Sequence, residues 1–387
     1  MKRSPSRKIR RKIAVLTTSR SDYAHLQWLL HDLDRHPSID LRVIALGPHL
    51  SPEFGHTGRQ IYKHNTNVVT PVECLLSSDT DVGMAKSLGL ATLGLADLLG
   101  RMRPDLVLLI ADRYEMLAPA SVALTLRIPI AHIEGGEITS GAIDDAVRNA
   151  ITKMSHLHFG CTRNACQRLI AMGEDKWRVT WSGSLSLDDI RRSKLLPKDE
   201  LEKELRISFR DRTILVVYHP VTLLKDTIQE ASELFAALAT LGQQILFIYP
   251  NADAGCRQLI QFIKNFVSRN SNSKFFINLD HVTYLSLMQN VDLLIGNSSG
   301  GIIESTTLGV PAINVGIRQR GREHAANVLD VPANKNRILR AVDRALTPAF
   351  KRSIQNLRNP YGDGKASQRI VGVLAKIPLG QKLLFKM

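Results

Sequence analysis

The chain has 387 residues, which exceeds one ordinary hydrophobic core and is enough for two domains. Hydrophobic residues make up 44% and aromatic residues 5%, so small aliphatic side chains carry the apolar content. That composition favours parallel α/β architecture over an aromatic-rich β-sandwich. The formal net charge of +15 suits a polyanionic ligand.

Residues 1–12 are strongly basic and contain no acidic side chain; their charged residues are Lys2, Arg3, Arg7, Lys8, Arg10, Arg11 and Lys12. We interpret this segment as a solvated basic tail, with contact to nucleic acid or an anionic membrane as the alternative. No aromatic residue is interleaved with the charges, which argues against a nucleic-acid platform.

The spacing of the cysteines matches no CxxC metal motif; they are Cys74, Cys161, Cys166 and Cys256. A reducing cytoplasm is therefore the expected location. No apolar run approaches the roughly 18 residues of a membrane span. The apolar run Ile13–Thr18 is too short to be the core of a signal peptide.

In the first half of the chain, short β-rich runs alternate with longer helical stretches. The predicted elements are strand Ile13–Thr18, helix Asp22–Arg35, strand Leu41–Leu46, helix Met84–Arg101, strand Leu106–Ala111, helix Ala118–Leu126, strand Ile128–Ile133, helix Ala146–Met154 and strand Leu157–Gly160.

A second series follows, and two such series predict two Rossmann-like, doubly wound parallel sheets. Its elements are strand Thr213–Tyr218, helix Gln229–Leu241, strand Ile245–Tyr249, helix Cys256–Ser268, strand Phe275–Leu279, helix Tyr284–Gln289, strand Val291–Ile295, helix Gly301–Leu308 and strand Pro311–Val315. We place the N-terminal domain at residues 13–185 and the C-terminal domain at 186–365, with the boundary in Ser182–Arg210. Residues 366–387 hold a final helix (Ile370–Leu374), which we expect to pack back on the first domain.

The segment Gly296-Asn-Ser-Ser-Gly-Gly-Ile-Ile-Glu304 lies between a predicted strand and a predicted helix. N–H groups at a helix start, close-approaching glycines and serine hydroxyls favour an anion such as a diphosphate. The candidate contacts are Ser298, Ser299 and Gly300, with Glu304 as an acceptor for ribose hydroxyls. An ordinary N-cap with packing glycines is the alternative. The segment is neither GxGxxG nor a P-loop, so neither dinucleotide nor P-loop chemistry is indicated.

An arginine-rich loop follows the last predicted strand and reads Gly-Ile-Arg-Gln-Arg-Gly-Arg-Glu over residues 316–323. Guanidinium groups form fork-shaped, charge-assisted hydrogen bonds to phosphate. Arg318 is the candidate phosphate contact, and a solvated loop is the alternative.

Acidic residues follow neighbouring strands of the first domain. Asp112 and Arg113 come directly after one predicted strand, and Glu134 after the next. Ligands of open α/β sheets bind outside the carboxyl ends of strands. Asp144 and Asp145 begin a helix, where an N-cap needs no further function. One of them converging with Asp112 and Glu134 would give a carboxylate cluster suited to acid–base chemistry. A structural Asp112–Arg113 ion pair is the alternative.

Other polar residues occupy equivalent positions after strands. His219 ends the first strand of the second series, and Asn251 and Asp253 follow the next one. Arg20 and Asp22 occupy the corresponding position in the first domain. We include all of them as candidate substrate contacts, although a single histidine is more often structural.

Taken in order, these motifs resemble the hydrolysing UDP-N-acetylglucosamine 2-epimerase family of sialic and legionaminic acid pathways. The resemblance spans about residues 12 to 375. Its matching stretches are Thr18 to Tyr23, Asp112-Arg113, His132 to Glu137, Ser140 to Asp145, His219 to Val221, Pro250 to Gly255, Gly296 to Gly301, Gly316 to Glu323 and Tyr361 to Gly364. Non-hydrolysing relatives carry Pro-Glu-Glu where this chain has Ile143-Asp144-Asp145. Ala111 departs from the family, which usually has glycine before Asp-Arg.

The resemblance implies a GT-B-like fold, two Rossmann-like domains with a cleft between them, and no cofactor or metal. It implies that Asp112, Glu134 and Asp144 are the catalytic acids, with Asp145 as the alternative to Asp144. The implied UDP or sugar contacts are Arg20, Arg113, His219, Asn251, Ser298, Ser299, Glu304 and Arg318.

The implied reaction converts UDP-N-acetylglucosamine and water to N-acetylmannosamine and UDP, by elimination to 2-acetamidoglucal and rehydration. One alternative is the same hydrolase chemistry on UDP-2,4-diacetamido-2,4,6-trideoxyglucose of the legionaminic acid pathway. Others are a UDP-sugar-dependent GT-B glycosyltransferase and a non-catalytic sugar-nucleotide-binding regulator. We expect a cytoplasmic homo-oligomer, dimer or tetramer, that has a UDP-sugar as partner and binds neither nucleic acid nor membrane.

Overall fold

The computed structural model describes residues 10–51, 61, 69–76, 78, 80–224, 226, 228–250, 255–277 and 279–386, with backbone alone at positions 20 and 21. The chain divides into two compact units. The first unit comprises Met1–Glu137, Ala146–Leu185 and Lys365–Met387, and the second comprises Ile138–Asp145 and Ser186–Gly364.

The first unit is built on a seven-stranded sheet of order β3-β2-β1-β4-β5-β6-β7. Every neighbouring pair is parallel. The elements up to residue 185 are β1 (Arg11–Thr17), α1 (Arg20–Asp34), β2 (Ile39–Leu46), β3 (Val69–Val72), α2 (Asp81–Met102), β4 (Leu106–Ile110), α3 (Leu117–Thr125), β5 (Ile130–Ile133), α4 (Asp144–Met154), β6 (Leu157–Gly160), α5 (Arg163–Ala171) and β7 (Val179–Trp181). The chain order reverses between β1 and β4, which is where open α/β sheets bind ligands.

The second unit has a six-stranded parallel sheet of order β10-β9-β8-β11-β12-β13. Its elements are α6 (Ser186–Arg192), α7 (Lys198–Leu205), β8 (Thr213–Val217), α8 (Gln229–Leu238), β9 (Gln244–Ile248), α9 (Cys256–Arg269), β10 (Ser273–Phe276), α10 (His281–Gln289), β11 (Leu293–Gly296), α11 (Gly300–Leu308), β12 (Ala312–Val315), β13 (Val328–Val331), α12 (Lys335–Ala345) and α13 (Pro348–Ser353). Here the order reverses between β8 and β11.

The last part of the chain belongs to the first unit. Helix α14 (Ala366–Leu374) packs against α1, and the Ser367 hydroxyl lies 2.6 Å from a carboxylate oxygen of Asp32. Helix α15 (Gln381–Leu384) follows, and the buried Arg178 guanidinium donates a hydrogen bond to the Leu383 carbonyl at 2.9 Å. These contacts hold the C-terminal helices on the first sheet.

The predicted α/β class with two parallel sheets is confirmed. Three strands were missing from the sequence prediction: β3, β7 and β13. All three are short, lie at or next to a sheet edge and include half-exposed or exposed positions, so none forms a continuous apolar run. The boundary segment 182–210 contains two helices, α6 and α7. Strand β10 begins at Ser273 and ends at Phe276, rather than spanning Phe275–Leu279, because its register pairs Ser273 with Ile245 of β9.

Helix α2 is long and apolar enough to cross a membrane, judged by length and composition alone. Its mean hydropathy over the best window is 1.3, and 28% of that window is buried. The expectation that no apolar run approaches that length is therefore wrong for this helix. The same test is also passed by core helices, so α2 alone is weak support for a membrane protein.

Candidate active site

The first unit places Asp112 and Glu134 after two neighbouring strands, β4 and β5. The Ala111 N–H donates to the Ile133 carbonyl at 3.0 Å, which ties the two strand ends together. Ala111 and Glu134 have φ angles of 60° and 69°, in the left-handed region that residues other than glycine seldom adopt. Such backbone strain clusters at functional sites, and here it lies at the residue before Asp112 and at Glu134 itself.

His132 holds the strained backbone in place. Its Nε2–H donates to the Ala111 carbonyl at 2.8 Å, and its Nδ1 lies 3.2 Å from the Thr152 hydroxyl. The carbonyl can only accept, so Nε2 carries the proton and Nδ1 accepts from Thr152. Burial lowers the pKa of His132 to about 3, so the imidazole is neutral at pH 7. It therefore fixes the peptide before Asp112 without adding charge.

Arg148 on α4 is fully buried and pairs with the Asp112 carboxylate. The same guanidinium donates to the Glu137 carbonyl at 2.9 Å. Glu137 is itself buried. Arg148 was not among the predicted site residues, because no local sequence pattern connects it with Asp112, which is 36 residues away. In the fold, this arginine orients the acid.

Two predicted contacts of the first unit lie in local networks. The Arg113 guanidinium makes two contacts to the buried Glu115 carboxylate, at 2.9 and 3.2 Å. The Asp22 carboxylate accepts from the Thr18 N–H at 3.2 Å and from the Thr18 hydroxyl. Arg20 begins α1, and its side chain lies outside the described residues, as do Asn251 and Asp253 entirely.

Residues 138–145 pack in the second unit, against the arginine-rich loop. The Ser140 N–H donates to the Arg320 carbonyl at 3.2 Å. A Cβ at Gly141 would lie 2.4 Å from the Ile317 carbonyl oxygen, so only glycine fits there. The Asp145 carboxylate accepts from the Thr139 N–H at 2.8 Å and stabilises this loop, while Asp144 is half-buried at the start of α4.

Asn297 joins the two strand ends at the reversal point of the second sheet. Its Oδ1 accepts from the His219 N–H at 2.7 Å, and its Nδ2 donates to the His219 carbonyl at 2.8 Å. Asn297 is fully buried and His219 nearly so. This reciprocal pair makes Asn297 a structural centre of the site, which the sequence analysis did not recognise.

Helix α11 begins at Gly300, with Ser299 as its N-cap and Ser298 before it, both half-buried. A Cβ at Gly300 would lie 2.8 Å from the Tyr284 hydroxyl and 3.2 Å from Glu304 Oε2, so glycine is needed for close packing. Burial, and then the charge of the buried Glu304, raise the pKa of Tyr284. The unpaired N–H groups of a helix start attract anions.

The arginine-rich loop, residues 316–323, is hydrogen-bonded to Asn297, just before the start of α11. Arg318 donates to the Asn297 carbonyl at 3.0 Å and Gln319 donates to it at 3.2 Å. Glu230 on α8 accepts from the Ile317 N–H at 3.3 Å, and burial raises the pKa of this carboxyl. Gly316 has φ 82°, and a Cβ there would lie 2.0 Å from Glu230 Oε2. Arg318 is thus held beside the start of α11.

The second unit therefore brings together six predicted contacts around β8, β11 and β12: His219, Ser298, Ser299, Gly300, Glu304 and Arg318. A guanidinium beside a helix start is suited to a phosphate group. The first unit brings Asp112 and Glu134 to adjacent strand ends, where carboxylates are suited to proton transfer. Among the described residues, no group of three or more histidines, cysteines or acids is arranged to hold a metal ion.

A family model described as UDP-N-acetylglucosamine 2-epimerase matches residues 31–375. The chain belongs to this family. A relative from Campylobacter jejuni, named GDP/UDP-N,N′-diacetylbacillosamine 2-epimerase (hydrolyzing), is 39% identical over 84% of this chain and 85% of its own length. A relative from Legionella pneumophila, named UDP-N,N′-diacetylbacillosamine 2-epimerase (hydrolyzing), is 36% identical over 97% of this chain and 98% of its own.

The fold of this epimerase-family chain also matches solved structures. The crystal structure of a UDP-GlcNAc 2-epimerase from Neisseria meningitidis bound to UDP-GlcNAc superposes with a TM-score of 0.78. It covers 95% of this chain and all of the other at 18% sequence identity. The GT-B-like class predicted from the sequence is confirmed by this likeness, which concerns the fold alone.

Proposed function

We propose that this chain is a hydrolysing 2-epimerase whose substrate is UDP-N,N′-diacetylbacillosamine, the UDP derivative of 2,4-diacetamido-2,4,6-trideoxyglucose. The products are UDP and free 2,4-diacetamido-2,4,6-trideoxymannose. The observation that carries the substrate is that the Campylobacter and Legionella relatives, 39% and 36% identical, are both named for this sugar. UDP-N-acetylglucosamine is the second candidate, because the matching family model is described by that sugar nucleotide.

In this proposal the second unit binds the UDP moiety. The start of α11 and the Arg318 guanidinium supply positive charge for the diphosphate, and charge that develops on a leaving group is stabilised by such fixed donors. Support comes from Arg318, whose hydrogen bond to the Asn297 carbonyl holds it beside this helix start. Glu304 accepts hydrogen bonds from the ribose hydroxyls.

The acids supply proton transfer. A carboxylate, from Asp112, Glu134 or Asp144, removes the C2 proton while the C1–O bond breaks and UDP leaves with the electron pair. The resulting C1–C2 double bond is then hydrated. The water oxygen adds to C1, and a proton adds to C2 on the face opposite the one from which the first proton was removed. Arg148, paired with Asp112, keeps that carboxylate in a fixed orientation.

Turnover in D2O without any acceptor sugar tests the reaction. The purified protein is incubated separately with the UDP-diacetamido sugar, its GDP counterpart and UDP-N-acetylglucosamine, and products are followed by ¹H and ³¹P NMR. We expect a manno product with deuterium at C2 and the highest kcat/KM for the UDP-diacetamido sugar. A product without deuterium at C2 would exclude elimination, and turnover that requires an acceptor would indicate a glycosyltransferase.

Two variants test the division of roles. Asp112→Asn should abolish turnover and still bind UDP, whereas a non-catalytic regulator would be unaffected by it. Arg318→Met should weaken UDP binding. Asp40→Asn, at a half-exposed position outside the candidate site, is the matched control and should leave both unchanged. In H2¹⁸O the released UDP should contain no ¹⁸O, because the C1–O bond breaks rather than the bond to phosphorus.

A further inference from the structure

Residues 375–386 run along the edge of the first sheet where its parallel strands begin. Near the start of this segment, the Arg11 guanidinium at the beginning of β1 donates to the Leu374 carbonyl at 3.0 Å. Farther on, the Arg178 guanidinium, which precedes β7, donates to the Leu383 carbonyl at 2.9 Å. The segment therefore crosses the sheet edge from β1 to β7. The candidate acids follow the carboxyl ends of the strands and lie at the opposite edge.

A buried carboxylate holds the far end of this segment. The Lys386 ammonium lies 2.7 Å from Glu174 Oε2 and donates to the Ser155 carbonyl, just before β6, at 2.7 Å. Burial alone would raise the pKa of Glu174, but hydrogen bonds with His158, Lys386 and Lys153 lower it to about 2. The carboxylate is therefore charged at pH 7, and the segment presents a fixed outer face.

Positive charge is concentrated in two segments that meet at this edge. Residues 1–12 contain seven basic side chains and residues 365–387 contain five, and neither segment contains an acid. Together they account for twelve of the fifteen net positive charges of the chain. Arg11 of the first segment contacts Leu374 of the second, so the two are neighbours in the fold.

The outer face of the edge has more basic than acidic groups. Two acids at the strand starts are hydrogen-bonded there: Asp105 accepts from the Lys12 N–H at 2.7 Å, and Asp175 pairs with Arg178 at 3.0 Å. A surface with such an excess attracts polyanions. The exposed basic residues of this edge are Arg10, Arg103, Lys176, Lys376 and Lys382.

Two exposed aromatic side chains lie among these charges. Trp177 and Phe385 are 52% and 69% exposed. The Arg178 guanidinium lies 4.2 Å from the centroid of the Trp177 ring and donates to the Phe385 carbonyl, so the two aromatic residues are close together. Exposed tryptophan and phenylalanine beside lysines are typical of surfaces that lie in a membrane interface. A base-stacking platform needs open ring faces, whereas Arg178 already covers one face of Trp177.

We propose that this edge of the first unit docks on an anionic membrane. Lys176, Lys376 and Lys382 contact the lipid phosphates, and Trp177 and Phe385 enter the headgroup region. The candidate acids lie at the other edge of the sheet, so docking does not cover them. The proposal replaces the expectation that the chain binds no membrane, and it is independent of the proposed function because it uses no residue of the candidate site.

Vesicle flotation tests the charges. The whole chain is mixed with vesicles of phosphatidylcholine alone, or of equal parts phosphatidylcholine and phosphatidylglycerol. We expect binding to the anionic vesicles only, and release as salt screens the charges. Lys376→Gln/Lys382→Gln should weaken binding about thirtyfold, since each lysine near an anionic surface contributes about fivefold.

The matched control for this variant removes the same charge from the second unit. Lys203→Gln/Lys264→Gln, at exposed positions of α7 and α9, should bind anionic vesicles like the wild type. A wild type that binds neither kind of vesicle, or both equally, would overturn the proposal. Equal weakening in the two double variants would overturn the assignment to this edge.

Aromatic substitutions test the contact itself. Phe385→Ser should weaken binding to anionic vesicles about tenfold, whereas Ile277→Ser, at a 58% exposed position of the second unit, should not. Anionic vesicles should shift tryptophan emission to shorter wavelength in the wild type, and not in Trp177→Phe. Circular dichroism melting checks that each variant is folded. Tighter binding of a single-stranded oligonucleotide than of anionic vesicles, lost in the Lys376→Gln/Lys382→Gln variant, would overturn the proposal and assign the edge to nucleic acid.

Discussion

The two units bury histidines in opposite ways. In the first unit, burial lowers the pKa of His49 to about 4 and that of His132 to about 3, so both are neutral and hydrogen-bond to uncharged groups. In the second unit, burial alone would lower the pKa of His281, but the hydrogen bond and charge of Asp189 outweigh it and raise the pKa. Burial thus opposes protonation of His49 and His132 in the first unit, whereas Asp189 favours protonation of His281 in the second.

The difference follows from what each histidine does. His132 fixes a strained backbone beside an acid that already has Arg148 as its counter-ion, where a second cation would compete. His281 begins α10 and lies 3.1 Å from the Asp189 carboxylate of α6, so this pair links two helices. A neutral imidazole therefore shapes the candidate acid site, whereas in the candidate UDP-binding unit the Asp189 carboxylate favours the charged form of His281.

Removal of the Arg148 side chain should lower the free energy of unfolding of the first unit more than any other substitution considered below. Arg148→Met leaves the Asp112 carboxylate without its buried partner, and breaking a buried pair costs about 3–5 kcal/mol. Urea unfolding, monitored by tryptophan fluorescence, measures the free energy of unfolding of the first unit, because Trp28, Trp177 and Trp181 all lie in that unit.

The half-exposed pair between Arg42 and Asp40, 3.0 Å apart, supplies the matched control. Arg42→Met should change the unfolding free energy by less than about 1 kcal/mol, since solvent screens such a pair. Equal losses for the two variants would mean that burial does not distinguish the pairs.

Lowering the pH should give the second largest loss of stability, and this loss should occur in the first unit. A lowered histidine pKa contributes stability that is present above pH 6.5 and is lost as the pH falls from 6.5 towards the folded pKa. For His132, with a folded pKa of about 3, the loss at pH 5 is about 2 kcal/mol. Tryptophan-detected urea unfolding at pH 7, 6 and 5 should show it, and His132→Gln should flatten the pH dependence. An unchanged slope in that variant would assign the acid sensitivity to other groups.

The Asp189–His281 pair should respond with the opposite sign. A raised pKa contributes stability that is fully present below pH 6.5 and is lost as the pH rises through the folded pKa. Asp189→Asn should therefore destabilise the second unit more at pH 6 than at pH 9, by about 1.5 kcal/mol, the lower end for a hydrogen bond between charged groups. Amide hydrogen exchange of α10 reports this locally. A greater loss at pH 9 would contradict the assignment.

The sequence predicted best what depends on continuous local patterns. Strand β4 was found because every residue is apolar, and β8 because every residue after Thr213 is apolar. The glycine-serine segment at the start of α11 was found because composition and position both mark a helix start. Because carboxyl ends of parallel strands meet at one edge, the positions of Asp112, Glu134 and His219 followed from the strand assignments.

What the sequence did not predict depends on distant pairs. Arg148 meets Asp112 across 36 residues, and Asn297 meets His219 across 78, so no short motif contains both members. Glu230 likewise supports the arginine loop from a separate helix. The packing of residues 138–145 in the second unit was missed for the same reason.

The smallest expected effect concerns Ala111, where the related family usually has glycine. At φ 60° an alanine carries left-handed strain of about 1–2 kcal/mol, partly offset because glycine loses more backbone entropy on folding. Ala111→Gly should therefore stabilise the first unit by about 0.5–1 kcal/mol. Ala150→Gly, on the exposed face of α4, should instead destabilise by about 1 kcal/mol, because a regular helix disfavours glycine. Tryptophan-detected unfolding compares the two. If both variants lose stability equally, the hydrogen bond from His132 has already relieved the strain at Ala111. In that case the hydrogen bond from His132 keeps Ala111 in its left-handed conformation without lowering the free energy of unfolding.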